Sequence, residues 1–468
     1  CKRDDPPRGT AAGERPSPGG ALVVASAAEP AALLPMLGGP AAAPIAAQLF
    51  DRLAEIGPEL NTVGDDGFRP RLARTWTWAP DSLSVSFALD PRARWHDGRP
   101  VTSRDVRCTF DLVTDPRAGS PTAALLADVD SVSTPDSLTA VVWYKRRGAQ
   151  QFYDVAYNLA VLPEHLLGTV APDRVAASPF ARAPIGSGRF RLVRWTRGGE
   201  AVLEAVRDHW RGRPALDRVT WRFARDAGAA TIALLGGDAD VLENLRPETI
   251  DAVARERSLR VVLYPSLDYG FLQFNLRAGD GSGAAHPLFA DRELRRALTM
   301  AVDRARAVRT AFDSLATTAA GPVPRAIFAD AAQLTQLPHD VARARALLDS
   351  LGWVDANGDG TRERAGTPLG FTLLVPTTSP VRQRLATSVA DQLRAVGARV
   401  TVEPLDIGAF VARQEARRFD ALVGGWRVDP SPASIRQTWG SVGALAAGGA
   451  NHGSYLSPAF DAAVDSAL

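Results

Sequence analysis

The chain has 468 residues, of which 46% are hydrophobic and 23% are charged, and its formal net charge is +2. This composition is typical of a soluble globular protein with room for two or three domains of about 100 to 200 residues each. The nearly balanced charge, with acidic and basic residues interleaved, argues against a dedicated nucleic-acid-binding protein. Two cysteines are too few for a disulfide framework or a zinc knuckle, and the six histidines show no metal-ligand spacing.

The first residues predict a membrane tether. The chain begins at Cys1, and the stretch to Gly20 is rich in proline and glycine, as in a flexible linker. This arrangement resembles a bacterial lipoprotein after removal of its signal peptide, so we predict a lipid on Cys1 and an anchor and tether over residues 1–20. The alternative is that the numbering simply starts at this cysteine. The apolar run from Ala21 to Phe50 contains four prolines and does not predict a membrane-spanning helix.

One short segment combines a predicted strand, a turn and a capped helix. Ser84–Leu89 alternates apolar with small or polar side chains, which is the pattern of a half-buried strand. Asp97-Gly98 predicts a tight turn. Thr102, followed three residues later by Asp105, is typical of a capping box at the start of a helix.

This segment resembles the signature of the family 5 extracellular solute-binding proteins, which include peptide, dipeptide and nickel binders of ABC importers. The family pattern reads L-A-x-x-W, then F-x-L, then W-H-D-G-x-P-V-T-x-x-D-V, and the chain matches it between Leu72 and Val106. Four further blocks follow in the family's order, beginning at Pro184, Asp226, Tyr269 and Leu351. The resemblance therefore covers residues 21 to 468.

The resemblance implies an α/β fold like that of the large type II periplasmic binding proteins, with two α/β lobes joined by a hinge and an additional, mainly antiparallel subdomain. The residue pattern agrees, because strands and helices alternate after Thr372, with the last of these strands predicted at Phe419–Val423. We predict a first lobe over residues 21–50 and 171–265, an antiparallel subdomain over 51–170, a second lobe over 266–468, and a hinge near 262–272.

Family members carry a further C-terminal stretch that returns to the first lobe, whereas this chain stops at Leu468 within a predicted helix. We therefore expect either a truncated sequence or a first lobe that lacks this element.

Residues 424–429, Gly-Gly-Trp-Arg-Val-Asp, resemble the family's G-W-x-x-D segment. In peptide-binding members the aspartate of this segment pairs with the free amino terminus of the ligand, and Asp429 is the matching residue. A carboxylate is a strong partner for an ammonium group from which water is excluded. The alternative for Asp429 is a local cap beside Pro430. Trp426 would offer an apolar face to the ligand or pack in the core, and Arg427 would share the face of Asp429 in an extended chain.

Three further residues are candidate ligand contacts. Tyr269 and Asn275 belong to a strand that the resemblance places near the crossing point between the lobes. Arg382 lies at the start of a predicted helix and would either line the cleft or be exposed; we favour an exposed position. Val423 stands where some oligopeptide binders carry a basic residue, which leaves the identity of the ligand open.

A calcium site is a weaker prediction. Asp355, Asn357 and Asp359 stand at alternate positions and Gly360 at the sixth, which matches the opening of a calcium-binding loop. The twelfth position is Gly366, where such a loop needs a glutamate with two ligand oxygens. We therefore favour a solvated turn.

Together these observations predict an extracytoplasmic, membrane-anchored component of an ABC importer. It would capture a peptide or peptide-like solute between two lobes and deliver it intact to the permease subunits. We expect a monomer that needs no cofactor, holds no metal and has no enzymatic activity. The alternatives are a binder of another solute class, such as an oligosaccharide or a metal chelate, a sensory receptor ectodomain, and a hydrolase. Gly186-Ser187-Gly188 does not support the hydrolase, because a strand is predicted after it where a nucleophile elbow requires a helix.

Overall fold

The computed structural model describes residues 19–37, 39–324, 327, 334–431, 434–446 and 449–467. The chain forms two compact units. The first contains the described residues up to Gly57 together with Val63–Val262, and the second contains Pro58–Thr62 and the chain from Leu263 onward. Cys1 and most of the predicted tether lie outside the described residues. The predicted domain limits and hinge motion stay predictions.

The first unit contains eleven of the described strands and seven of the described α-helices. Its strands are β1 (Ala21–Ser26), β2 (Ala54–Ile56), β3 (Phe68–Pro70), β4 (Ala73–Trp78), β5 (Ser84–Leu89), β6 (Val129–Asp136), β7 (Thr139–Tyr144), β8 (Phe190–Thr196), β9 (Glu200–Ala205), β10 (Arg218–Phe223) and β11 (Val241–Leu242). Its helices are α1 (Gly39–Leu49), α2 (Ser103–Thr114), α3 (Gln151–Ala156), α4 (Glu164–Leu167), α5 (Pro179–Arg182), α6 (Ala227–Leu235) and α7 (Ile250–Arg255).

These strands form two larger sheets and the small pair β2-β3. One sheet has the order β11-β1-β10-β9-β8, in which β1 runs parallel to β10 and β11, while β9 is antiparallel to both of its neighbours, β10 and β8. The other has the order β4-β5-β7-β6 and is antiparallel throughout. The predicted combination of α/β structure with an antiparallel subdomain is therefore present.

The second unit contains the remaining described strands and helices. Its strands are β12 (Asp268–Phe274), β13 (Glu363–Arg364), β14 (Thr367–Pro368), β15 (Gly370–Pro376), β16 (Arg399–Leu405) and β17 (Ala421–Arg427). Its helices are α8 (Arg292–Met300), α9 (Arg304–Phe312), α10 (Val341–Ser350), α11 (Pro380–Arg394), α12 (Ile407–Glu415), α13 (Ser434–Trp439), α14 (Ser441–Leu445) and α15 (Pro458–Ala467).

The main sheet of the second unit has the order β12-β17-β15-β16. Strand β15 is parallel to both β16 and β17, and β12 is antiparallel to β17. The strand and helix alternation predicted after Thr372 is confirmed, but the last strand runs from Ala421 to Arg427 and not from Phe419 to Val423. Among the described residues, no helix combines the length and the apolar character that a membrane crossing requires.

The predicted strand, turn and helix segment of the first unit is confirmed. Trp95 is almost fully buried, and Gly98 closes the turn by donating its N–H to the Trp95 carbonyl at 2.8 Å. Its φ of 91° explains the glycine, since this conformation is strained for residues with a Cβ. The Asp105 carboxylate accepts hydrogen bonds from the backbone N–H of Thr102 at 2.7 Å and from that of Glu164 at 2.8 Å. Asp105 thus caps α2 and also fixes the start of α4.

The segment Gly186-Ser187-Gly188 has a structural role. A Cβ at Gly186 would lie 1.7 Å from the carbonyl oxygen of Leu49, so the glycine is required by this close approach to the end of α1. The Ser187 side chain is buried, and its hydroxyl accepts the N–H of Asp51 at 3.2 Å. Strand β8 follows at Phe190, which confirms the predicted strand.

We expect Asp105→Ala to lower the free energy of unfolding by about 2 to 4 kcal/mol, because it removes the helix cap and leaves buried N–H groups without acceptors. Asp111→Ala is the matched control on the same helix, because the Asp111 side chain is exposed and pairs with Arg107 at the surface. The control should change the free energy of unfolding by less than about 0.5 kcal/mol. Urea unfolding measures both, and equal effects of the two substitutions would contradict this role of Asp105.

Candidate functional site

Two of the predicted ligand contacts lie next to each other in the second unit. Strands β12 and β17 are antiparallel, with Tyr269 opposite Trp426 and Gly270 opposite Gly425. Residues directly opposite each other in such a pair project from the same face of the sheet. Tyr269 and Trp426 come from separate sequence blocks, and the strand pairing brings them together.

Both residues belong to an aromatic cluster, which consists of Tyr269, Phe271, Trp426, Trp439 and His452. The Trp426 ring stacks on Phe271, with centroids 6.5 Å apart, and on His452, with centroids 6.0 Å apart. Trp439 meets the edge of Phe271 at 5.1 Å and donates its Nε1–H to the Tyr269 hydroxyl at 2.9 Å. Contacts of this kind hold the rings in defined positions.

Members of the aromatic cluster differ in how far they are buried. Tyr269 is largely buried, and burial raises the pKa of its hydroxyl despite the hydrogen bond from Trp439. Burial also lowers the pKa of His452, which keeps its ring neutral near pH 7. Trp426 is only part-buried, so it packs in the cluster and still keeps some exposed ring surface.

A mainly apolar cavity of about 520 Å³ adjoins this cluster within the second unit. Tyr269, Phe271 and Trp439 line one side, and apolar side chains of α8, α9 and α11 line much of the rest. Such a lining suits apolar groups and offers few partners for a charged one.

Arg427 is paired with a neighbour on the adjacent strand. Its Nε lies 3.5 Å from a carboxylate oxygen of Asp268, the residue opposite it in the β12–β17 pair. Both side chains are exposed, by 58% and 51%, so the pair contributes little to stability. The positive charge of Arg427 is nevertheless balanced within the chain.

Asp429 follows the end of β17 and is exposed. Val428, which precedes it, still donates its N–H to the Leu267 carbonyl at 3.0 Å, so the chain leaves the sheet only at Asp429. Since β15 and β17 are parallel, their carboxyl ends meet at the same edge of the sheet, and α11 begins just after β15. Ligands of open α/β sheets bind at such an edge.

Arg382 was predicted to be exposed, and this prediction is wrong: the residue is part-buried in the first turn of α11. Burial in this position lowers the pKa of its guanidinium. A Cβ at Gly425 would lie 2.9 Å from a guanidinium nitrogen of Arg382 and 3.3 Å from the Tyr269 carbonyl oxygen. The arginine therefore covers Gly425, on the face of the sheet opposite to Trp426, because successive strand residues point to opposite faces.

Asn275 is placed as a structural residue. Its side chain is 0% exposed, and its amide nitrogen donates to the carbonyls of Arg417 at 2.9 Å and Phe419 at 3.0 Å. Its amide oxygen accepts the N–H of Arg277 at 3.1 Å. These bonds occupy the amide and favour a structural role, so we leave Asn275 out of the proposed ligand contacts.

The candidate calcium loop is held by its own backbone. The Asp355 carboxylate accepts the N–H groups of Gly358 at 2.8 Å and Gly360 at 3.0 Å, and Asp359 accepts that of Thr361 at 2.7 Å. The Asn357 side-chain oxygen accepts the N–H of Asp359 at 2.8 Å. Within the described ranges, no group of three His, Cys, Asp or Glu residues could hold a metal ion. The geometry favours the solvated turn.

The profile described as bacterial extracellular solute-binding proteins, family 5 middle, matches residues 67–444. The chain belongs to this family. Its members are the solute-binding proteins of ABC importers, as the sequence pattern predicted.

One sequence relative and two solved structures are similar to this chain. The oligopeptide-binding protein AppA of Bacillus subtilis is 27% identical over 429 residues, which cover 89% of this chain and 75% of AppA. The structure of AppA in complex with a nonapeptide is similar with a TM-score of 0.76 at 26% identity, covering 97% of this chain and 88% of that one. CtaP of Listeria monocytogenes has a TM-score of 0.81 at 22% identity, with coverages of 96% and 86%. The predicted fold class is therefore confirmed.

Three members of the aromatic cluster, Phe271, Trp439 and His452, were not predicted as ligand contacts. Trp439 and His452 follow the G-W-x-x-D segment of this family 5 chain, but neither belongs to a motif with fixed spacing. Their aromatic character and their position after this segment were the only sequence features that indicated a place in the candidate site. Their contacts depend on the path of the chain after β17, and the spacing of residues in the sequence does not predict that path.

We expect Gly424→Ala to destabilise the second unit by about 1 to 3 kcal/mol, because its Cβ would lie 2.6 Å from two ring carbons of Phe271 inside the aromatic cluster. Gly425→Ala is the matched control. There the new Cβ meets mainly the mobile end of the Arg382 side chain, so the loss should be smaller. Urea unfolding of the two variants measures the difference, and an equal or reversed order would contradict the packing described here.

Proposed function

We propose that this family 5 protein captures a peptide or peptide-like solute outside the cytoplasm and delivers it to the permease subunits of an ABC importer. The observation that carries the proposal is the position of Asp429. It stands exposed at the carboxyl edge of β15 and β17, three residues after the part-buried Trp426 and in the segment that resembles the family's G-W-x-x-D pattern.

The chemistry of this edge suits a peptide. The Asp429 carboxylate is a partner for the ammonium group at a peptide amino terminus, and the charge-assisted hydrogen bonds of such a pair are stronger than neutral ones. The exposed part of the Trp426 ring offers an apolar surface beside it. AppA, which was solved with a nonapeptide, is a relative over most of the chain.

The proposal involves binding without bond cleavage. Backbone hydrogen bonds of the strand type hold a peptide regardless of its side chains, which leaves sequence preference broad. The lipid anchor at Cys1 stays a prediction, because this residue lies outside the described residues.

A panel of peptides from two to nine residues, screened by thermal shift and isothermal titration calorimetry, tests this function. A peptide at 100 times its Kd should stabilise the protein by about 2.7 kcal/mol. Mass spectrometry should recover the peptide intact. Stabilisation by nickel–histidine or oligosaccharides, with no response to any peptide, would refute the peptide assignment in favour of another solute class, and cleaved peptide would indicate an enzyme.

We expect Asp429→Asn to weaken binding of the best peptide about 10-fold to 100-fold, since a hydrogen-bonded charge pair contributes roughly 1.5 to 3 kcal/mol. Acetylation of the peptide amino terminus should weaken binding to the unaltered protein by a similar factor and should have little further effect on the variant. Asp391→Asn is the control, because Asp391 is exposed on α11 and paired with Arg394. If Asp429→Asn binds like this control, the role assigned to Asp429 is wrong.

A further inference from the structure

Two histidines of the first unit hold the segment Gly186-Ser187-Gly188. His96 donates its Nε2–H to the Gly188 carbonyl at 2.9 Å, and its Nδ1 accepts the N–H of Gly186 at 3.1 Å. His209 donates its Nε2–H to the Ser187 carbonyl at 3.0 Å. The two rings thus bind all three residues of the segment, and we call these five residues the histidine clamp.

The hydrogen bonds of the histidine clamp require both rings to be neutral. The Nδ1 atom of His96 faces the N–H of Gly186, and that of His209 faces the N–H of Arg211 at 3.1 Å. An N–H donor can bond to Nδ1 only while this nitrogen carries no proton. Protonation of either ring would place two donors against each other and would break that contact.

Burial also opposes protonation of the two rings. His209 is 7% exposed, and burial lowers its pKa to about 4. His96 is part-buried, and burial is again the main cause of its lowered pKa. A histidine that stays neutral in the folded protein but gains a proton in the unfolded chain makes stability depend on pH.

The charged groups around His209 do not compensate for burial. Arg189, Arg211 and a protonated His96 all disfavour a positive charge on its ring. The Asp51 carboxylate lies 3.9 Å from the His209 Nε2 atom and pairs with Arg211. Burial raises the pKa of Asp51 to about 6, which is above the pKa of His209. Asp51 therefore gains a proton first and gives a protonated His209 no counter-charge.

The charged groups around His96 are Arg191 and Asp97. Arg191 disfavours a positive charge on the ring, and Asp97 has a weaker effect of the opposite sign. The Asp97 carboxylate is also hydrogen-bonded to the ring of His165 at 2.7 Å. Burial therefore decides the state of His96 as well, and the ring stays neutral near pH 7.

The histidine clamp presses its segment against the end of α1. The N–H of Gly188 donates to the Leu49 carbonyl at 2.8 Å, and the N–H of Asp51 donates to the Ser187 hydroxyl at 3.2 Å. A Cβ would lie only 1.7 Å from a carbonyl oxygen of α1 at Gly186 and 2.2 Å at Gly188. The backbone of the segment therefore packs directly on the backbone of α1.

We propose that the histidine clamp is acid-sensitive: neutral His96 and His209 hold residues 186–188 against α1, and protonation of either ring releases this segment, so that the first unit opens locally at acid pH. This inference goes beyond solute binding and does not depend on the identity of the solute.

The sign of the pH dependence follows from the two states. Both histidines bind protons more weakly in the folded protein than in the unfolded chain, where the pKa of histidine is about 6.5. The contribution of the clamp is therefore complete above about pH 6.5 and is lost as the pH falls toward about 4. Asp51 acts in the opposite direction, because its pKa is higher in the folded protein. Two histidines oppose this one carboxyl group, so stability should fall on acidification.

Urea unfolding at pH 8, 6.5 and 5, read by hydrogen exchange in peptides of the first unit, tests the proposal. The shift of His209 alone should raise the unfolding equilibrium constant about 10-fold between pH 6.5 and pH 5. His209→Gln keeps an N–H donor for the Ser187 carbonyl but does not titrate, so the variant should lack this rise. Any packing lost in the variant lowers stability at every pH and does not change the comparison.

His339→Gln is the matched control, because His339 is exposed and belongs to the second unit. It should leave the pH dependence of the first unit unchanged. His96→Gln should reduce this dependence, and the double variant with His209→Gln should reduce it further. The opposing contribution of Asp51 is present in all of these proteins.

Hydrogen exchange also separates local release from unfolding of the whole first unit. After correction for the intrinsic effect of pH, a peptide covering residues 186–190 should exchange faster at pH 5 than at pH 7, whereas a peptide from β7 should not. His209→Gln should reduce this difference. The same pH dependence in the unaltered protein and in both histidine variants would refute the clamp. Faster exchange spread evenly over the first unit would refute local release.

Discussion

The candidate site in the second unit depends on the antiparallel pairing of β12 with β17. This pairing places Tyr269 opposite Trp426 and Asp268 opposite Arg427, so it joins one sequence block near residue 270 to another near residue 425. It also holds two consecutive glycines in a strand. Glycine is disfavoured in strands, and only the hydrogen bonds of the ladder and the rings packed beside it keep this stretch extended.

The two glycines create different environments on the two faces of β17. Gly424 faces the aromatic cluster and is closely covered by Phe271, whereas Gly425 faces α11 and is covered by Arg382. Aromatic rings therefore lie beside Gly424 on one face, and a guanidinium lies beside Gly425 on the other. Both reach the carboxyl edge of the sheet, where Asp429 leaves it.

Local patterns predicted much of the fold because they report local interactions. The capping box of Thr102 and Asp105, the turn at Gly98 and the alternation of strands and helices after Thr372 were all recognised from neighbouring residues. The end of β17 was missed, since Gly424 and Gly425 have low strand propensity and are held by a partner far away in sequence. Asn275 stays a predicted ligand contact, and its hydrogen bonds to backbone groups of residues 277, 417 and 419 could not be read from the sequence.

The sequence by itself determined the family, the α/β fold class and the segment that contains Trp426 and Asp429, because these follow from ordered motifs and from periodicities within single elements. The tertiary structure decided which charges are matched. Arg427 and Arg382 look alike in the sequence, yet the first lies opposite Asp268 and the second is packed over Gly425 with no partner among the described residues. Whether a charge is paired depends on distances between residues that are remote along the chain, and no local pattern records those distances.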